Sequence, residues 1–101
     1  GVIDAVPARG EFLRQALRDA FADITMVTEV RGQGLINGVQ FDRPCGELVG
    51  LCRERGLLIN VTAESVVRLI PPLVISEEEI TILVERLKDA VLAFVAAQEA
   101  A

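Results

Sequence analysis

The sequence predicts an α+β domain in which helices cover a small, mainly antiparallel sheet, in the order α-β-β-α-β-β-α. Three observations carry this expectation. Apolar residues recur at helical spacing near both ends of the chain. Between them lie short β-branched runs punctuated by glycine. The last two of these runs are separated by a short polar turn, which suits adjacent antiparallel strands.

Leu13, Ala16, Leu17, Ala20 and Phe21 form the apolar face of a first helix that should end near Ala22. Pro7 is tolerated if the helix begins there, whereas a helix beginning nearer Ile3 should bend at it. Thr25 to Arg31 reads as a strand, Gly32-Gln33-Gly34 as an interruption, and Leu35 to Phe41 as a second strand. Glycines so placed mark a hairpin turn, a bulge or close approach by another backbone. Asp42-Arg43-Pro44 opens a second helix with Cys45, Leu48, Val49 and Cys52 on its apolar face, and Gly56 stops it after Arg55. Leu57 to Val61 and Val66 to Ile70 then read as strands joined by Thr62-Ala63-Glu64-Ser65.

The last helix carries the most local signature. Ser76 and Glu79 form a capping box, in which each side chain satisfies an exposed backbone N–H at the helix start. Ile75 and Ile80 stand where a hydrophobic staple would close around it, and Glu77, Glu78 and Glu79 complement the helix dipole. Ile80, Leu83, Val84, Leu87, Ala90, Val91, Phe94 and Val95 then form a long apolar stripe, with an alanine-rich tail beyond Phe94 expected to fray.

The chain's 101 residues, 51% of them apolar, fit a single domain spanning 1–101 whose core needs no metal or disulfide. A net charge of −5 argues against nucleic acid and anionic membrane surfaces as partners. No apolar run approaches the roughly 20 residues that span a bilayer, and no segment reads as a signal peptide. Cys45 and Cys52, seven positions apart, are expected on one helix face about 10 Å apart at ~1.5 Å rise per residue. They suit reduced core thiols and a cytoplasmic location.

Absences narrow the chemistry further. The sequence contains no histidine, tyrosine or tryptophan, and Lys88 is its one lysine, on the polar side of the last helix. No cysteine or histidine cluster has zinc spacing, and Gly32 and Gly34 precede strand-like sequence rather than a phosphate-binding helix. The chain is therefore expected to supply a binding or structural part, not a complete catalytic apparatus.

Arg68 is the candidate site residue. It interrupts the run Val66-Val67-Arg68-Leu69-Ile70, which closes on Pro71-Pro72. A guanidinium keeps its charge, so burying it requires an anion, and its fork of donors matches a carboxylate. Alternatively, Arg68 lies at a strand edge with its head in water along an apolar stem.

Four blocks, in order, carry a family resemblance: Glu29-Val30-Arg31-Gly32-Gln33-Gly34-Leu35, Glu54-Arg55-Gly56-Leu57-Leu58-Ile59-Asn60, Val67-Arg68-Leu69-Ile70-Pro71-Pro72-Leu73, and Ser76-Glu77-Glu78-Glu79-Ile80. From about Ala8 to Phe94 the chain resembles the C-terminal small domain of class III aminotransferases, pyridoxal-phosphate enzymes of the aspartate aminotransferase fold. Asn60-Val61-Thr62 is most similar to the acetylornithine branch, with ornithine and succinylornithine enzymes close to it. The resemblance implies that Arg68 binds a substrate carboxylate during transfer of an amino group between N-acetylornithine, or a similar amino acid, and 2-oxoglutarate. It also implies pyridoxal 5′-phosphate in an intact, homodimeric, cytoplasmic enzyme. The cofactor-bearing lysine, the aspartate at the pyridine nitrogen and most phosphate contacts belong in that family to the large domain, so this chain alone should be inactive and hold no cofactor. Arg31 is assigned no substrate. Two other expectations stand beside this one: an autonomous module sensing a carboxylate through Arg68, and a structural or dimerisation domain with Arg68 merely solvated.

Overall fold

A computed structural model describes residues 2–33, 36–69 and 76–100. The elements follow the predicted order: α1 (Val2–Phe21), β1 (Val27–Gln33), β2 (Ile36–Phe41), α2 (Leu48–Glu54), β3 (Asn60–Thr62), β4 (Val66–Leu69) and α3 (Glu77–Ala100). The strands form one sheet of order β1-β2-β4-β3 with every neighbouring pair antiparallel. The helices pack on one face of it. Val39 and Phe41 of β2, with Val67 and Leu69 of β4, are buried there together with Leu13, Leu17 and Phe21 of α1 and Ile80, Leu87, Val91 and Phe94 of α3. Each such side chain contributes about 1.5–3 kcal/mol on leaving water. Phe41 and Phe94 join sheet to helix edge to face, with ring centroids 5.9 Å apart at 86°.

Where boundaries differ from the sequence expectation, hydrogen bonds to other segments explain the differences at β1 and α2. α1 begins at Val2 and runs through Pro7, so the early start holds, and the helix dispenses with the one backbone N–H that proline lacks. β1 continues past Arg31, because Gly32 pairs with Asn37 and Gln33 with Ile36, while the Gly34 part of the expected interruption lies outside the described residues. α2 begins at Leu48 rather than at Pro44. The N–H of Cys45 is drawn to the Glu64 carbonyl at 2.8 Å, and two tight bonds, Leu48 N–H to Cys45 O and Val49 N–H to Gly46 O, precede the first full helical bond. Cys45 therefore lies ahead of the helix, not on its face with Cys52. Both thiols are buried and free, and burial pushes each up to about 11.

Gly56 stops α2 as expected, at φ +74, with Gly56 N–H on Arg53 O and Leu57 N–H on Cys52 O, the paired bonds of a Schellman cap. Leu57 packs toward the core and Leu58 is 85% exposed, and β3 starts at Asn60, where the pairing with Arg68 begins. At the start of α3, Ser76 N–H donates to Glu79 Oε1 and Glu79 N–H donates to Ser76 Oγ, each at 3.1 Å. This is the capping box read from the sequence. The helix persists to Ala100 instead of fraying beyond Phe94, in keeping with the high helix propensity of its alanines. Residues 70–75, with Pro71-Pro72 and the Ile75 half of the expected staple, lie outside the described residues.

Candidate functional site

The face of the sheet opposite the helices carries the polar side chains. Side chains alternate along a strand, so Val67 and Leu69 turn inward and Arg68 turns outward. The expectation of a guanidinium within an apolar layer is corrected here: Arg68 is exposed, and its apolar sequence neighbours occupy the other side of the sheet. Neither is it at an edge, since β4 is flanked by β2 and β3. The register aligns Arg31, Gly38, Arg68 and Asn60 in one row across the four strands. Directly opposed residues of an antiparallel sheet share a face, so this row lies on the open side.

The two arginines of the row differ. Arg31 Nη1 meets Glu29 Oε2 at 2.9 Å, two residues away on the same strand and face. The Arg68 side chain makes no hydrogen bond or ion pair with another described residue. With Leu58, Ile59 and Asn60 it borders an open groove of about 410 Å³. The groove therefore offers a bidentate cation, a neighbouring carboxamide and one exposed apolar side chain, a combination suited to an amino-acid-like carboxylate.

Other polar clusters are internally matched. Arg43 Nε lies 2.6 Å from Asp42 Oδ1, and its hydrogen bond holds the Asp42 carboxyl below the ordinary range. Arg14 bridges Glu11 at 3.1 Å and reaches the buried Asn37 Oδ1 at 3.4 Å. That part-buried polar contact is not legible in the sequence, since its members lie on α1 and β2 and nothing local links them. Gly38 also escaped the sequence reading; its sole signal is a glycine amid β-favouring residues.

Lys88, the one lysine of the sequence, does not share a face with Arg68. Lys88 is exposed on α3, whereas Arg68 lies on the sheet face that the helices leave open. Among the described residues no group of three or more histidines, cysteines or acidic side chains could hold a metal ion. No helix of the described residues is long and apolar enough to cross a membrane.

Comparison with known proteins gives this geometry a family. The model of the aminotransferase class-III family matches residues 1–91. Acetylornithine aminotransferase 1 of Bordetella bronchiseptica is 47% identical over 90 residues, covering 89% of this chain and 23% of that protein. An acetylornithine aminotransferase of Methanosarcina acetivorans is 52% identical over 64 residues, 63% of this chain and 16% of that protein. The crystal structure of N-acetylornithine aminotransferase from Stenotrophomonas maltophilia superposes with a TM-score of 0.86 at 28% identity, covering 95% of this chain and 28% of that one. Ornithine aminotransferase from Toxoplasma gondii gives 0.83 at 31% identity, covering 95% of this chain and 24% of that one. The chain thus spans about a quarter of the length of the proteins it matches. Its sequence and its four-stranded antiparallel sheet with three helices agree: the chain belongs to the class III aminotransferases.

Proposed function

We propose that this chain is the C-terminal small domain of an acetylornithine- or ornithine-type aminotransferase, and that Arg68 binds the carboxylate of its substrates. The observation that carries the reading is the position of Arg68: outward on a central strand, exposed, and without an ion-pair partner among the described residues. Amino acids and 2-oxo acids all bear a carboxylate, so one fixed guanidinium serves both halves of an amino-group exchange. Held by two parallel hydrogen bonds, the substrate loses its rotational freedom before reaction, which lowers the entropic part of the barrier.

The rest of the apparatus belongs to a large domain, which closes over the open sheet face in a cytoplasmic, homodimeric enzyme. Pyridoxal phosphate bound there supplies the electron sink that amino transfer requires. This chain has no lysine placed to hold it and is inactive alone. In the full-length holoenzyme, Arg68→Ala should raise KM for amino donor and 2-oxo acid while the cofactor absorbance stays. Removing a charge-assisted pair of about 1.5–3 kcal/mol corresponds to roughly a 10- to 150-fold effect. Unchanged KM would refute the role. Binding of an amino acid by the 101-residue chain alone, lost in Arg68→Ala, would instead favour a self-contained carboxylate sensor.

A further inference from the structure

Gly38 occupies the interior of β2 and pairs with Arg31 on one side and Arg68 on the other. Glycine in a strand interior costs conformational entropy and contributes no packing, so it needs a reason. The domain itself provides none. Among the described glycines only Gly56 has a positive φ, so Gly38 adopts a backbone conformation open to other residues. A Cβ built at Gly38 would meet Val66 Cγ1 at 3.4 Å, and its next neighbours, the carbonyl oxygens of Arg31 and Val67, at 4.0 Å. These are ordinary contacts. An alanine would fit, and by strand propensity and chain entropy it would hold the sheet better.

The reason therefore lies above the open face, where the row runs Arg31, Gly38, Arg68, Asn60. Arg68 is flanked by the Asn60 side chain on one side and by bare backbone on the other. Arg31 beyond Gly38 is drawn along its own strand to Glu29 at 2.9 Å, which keeps its head from filling that gap. We infer that Gly38 is a specificity-determining position: it keeps clear the flank of Arg68 over which the carboxylate-bearing end of the substrate lies. A side chain there would stand about 5 Å from the Arg68 Cβ, level with the arginine stem, and would occupy the approach to the guanidinium. This inference rests on the carboxylate-binding role proposed for Arg68.

The test uses three variants of the full-length holoenzyme: Gly38→Ala, Arg68→Lys, and Gly50→Ala as a control. Gly50 is exposed in α2, and a Cβ built on it meets nothing within 4 Å. Gly38→Ala is expected to keep or raise the thermal midpoint, leave cofactor absorbance unchanged, and raise KM for amino donor and 2-oxo acid about tenfold or more, the effect of one misplaced methyl in a fitted site. Gly50→Ala should raise the midpoint and leave KM alone. Stability and substrate use moving in opposite directions at position 38 is a signature that a structural glycine lacks. A KM within twofold of wild type in Gly38→Ala, with KM raised in Arg68→Lys, overturns the inference alone. An unchanged KM in both variants overturns the Arg68 reading as well. A lowered midpoint in Gly38→Ala assigns the glycine to folding and also overturns the inference.

Discussion

The hairpin between β3 and β4 is closed by residues in an unfavourable conformation, and relieving one of them should stabilise the chain measurably. Ala63 and Glu64 lie at φ +50 and +67, in the left-handed region that suits glycine or asparagine. An ordinary L-residue there costs roughly 1–2 kcal/mol. Glu64→Gly removes that cost and returns about 0.5–1 kcal/mol through the greater freedom of glycine in the unfolded chain. The Glu64 side chain is exposed and forms no hydrogen bond or ion pair with another described residue, so its loss adds little. The net gain is then about 0.5–1 kcal/mol, or a rise of about 2–8 °C in the midpoint of a domain this size. Urea unfolding followed by circular dichroism should show it as a higher midpoint at constant slope. Glu64→Ala is the control, because it deletes the same side chain yet keeps the Cβ. If Glu64→Gly proves no more stable than Glu64→Ala, the φ-strain argument is wrong.

Two further outcomes follow from the helix cap and the buried thiols. Ser76→Ala removes the acceptor of the 3.1 Å bond from Glu79 N–H and should cost about 1 kcal/mol in the same unfolding assay. The thiols of Cys45 and Cys52 stand at about 11 in the folded chain against an ordinary 9.0, so folding favours the protonated form. Between those two pH values the unfolded chain has lost protons that the folded chain retains. Stability should therefore fall as pH rises from 9 toward 11, by up to ~1.4 kcal/mol per pH unit per thiol, with no contribution below that window. Cys45→Ala and Cys52→Ala should each flatten the decline, as measured by urea midpoints across that range.

What could be read from the sequence divides by the range of the interaction. The α3 capping box was legible because donors and acceptors lie three residues apart, and the structure realises both bonds. The Gly56 stop was legible for the same reason. The start of α2 was not, because the residue that diverts the chain there, Cys45, bonds to a carbonyl in a hairpin that comes much later. The full length of β1 required knowing that Gly32 has Asn37 to pair with. At the site, the sequence singled out Arg68, but by a burial argument that the structure replaces: the arginine is exposed because alternation sends Val67 and Leu69 the other way. Gly38 acquires meaning only in register, as the gap between two arginines, and no single-strand pattern contains a register.

That register also determines where Arg68 points. Slipping β4 by one residue would move Arg68 onto the helix-covered face and expose Val67 and Leu69. The slip would forfeit about 1.5–3 kcal/mol for each apolar side chain, and the desolvated guanidinium would add more. Its local fastening lies at the strained turn: Phe41 N–H donates to Ser65 O and Cys45 N–H to Glu64 O, each at 2.8 Å, and Gln40 Nε2 donates to Ser65 Oγ at 2.7 Å. These bonds tie the hairpin tip to the end of β2, so β4 enters the sheet with Val66 opposite Gln40 and Arg68 opposite Gly38. The two left-handed residues are what allow a short turn to present both carbonyls to that neighbour. The strain at Ala63 and Glu64 and the orientation of Arg68 are therefore two ends of one construction, with apolar burial enforcing the same register from the opposite face.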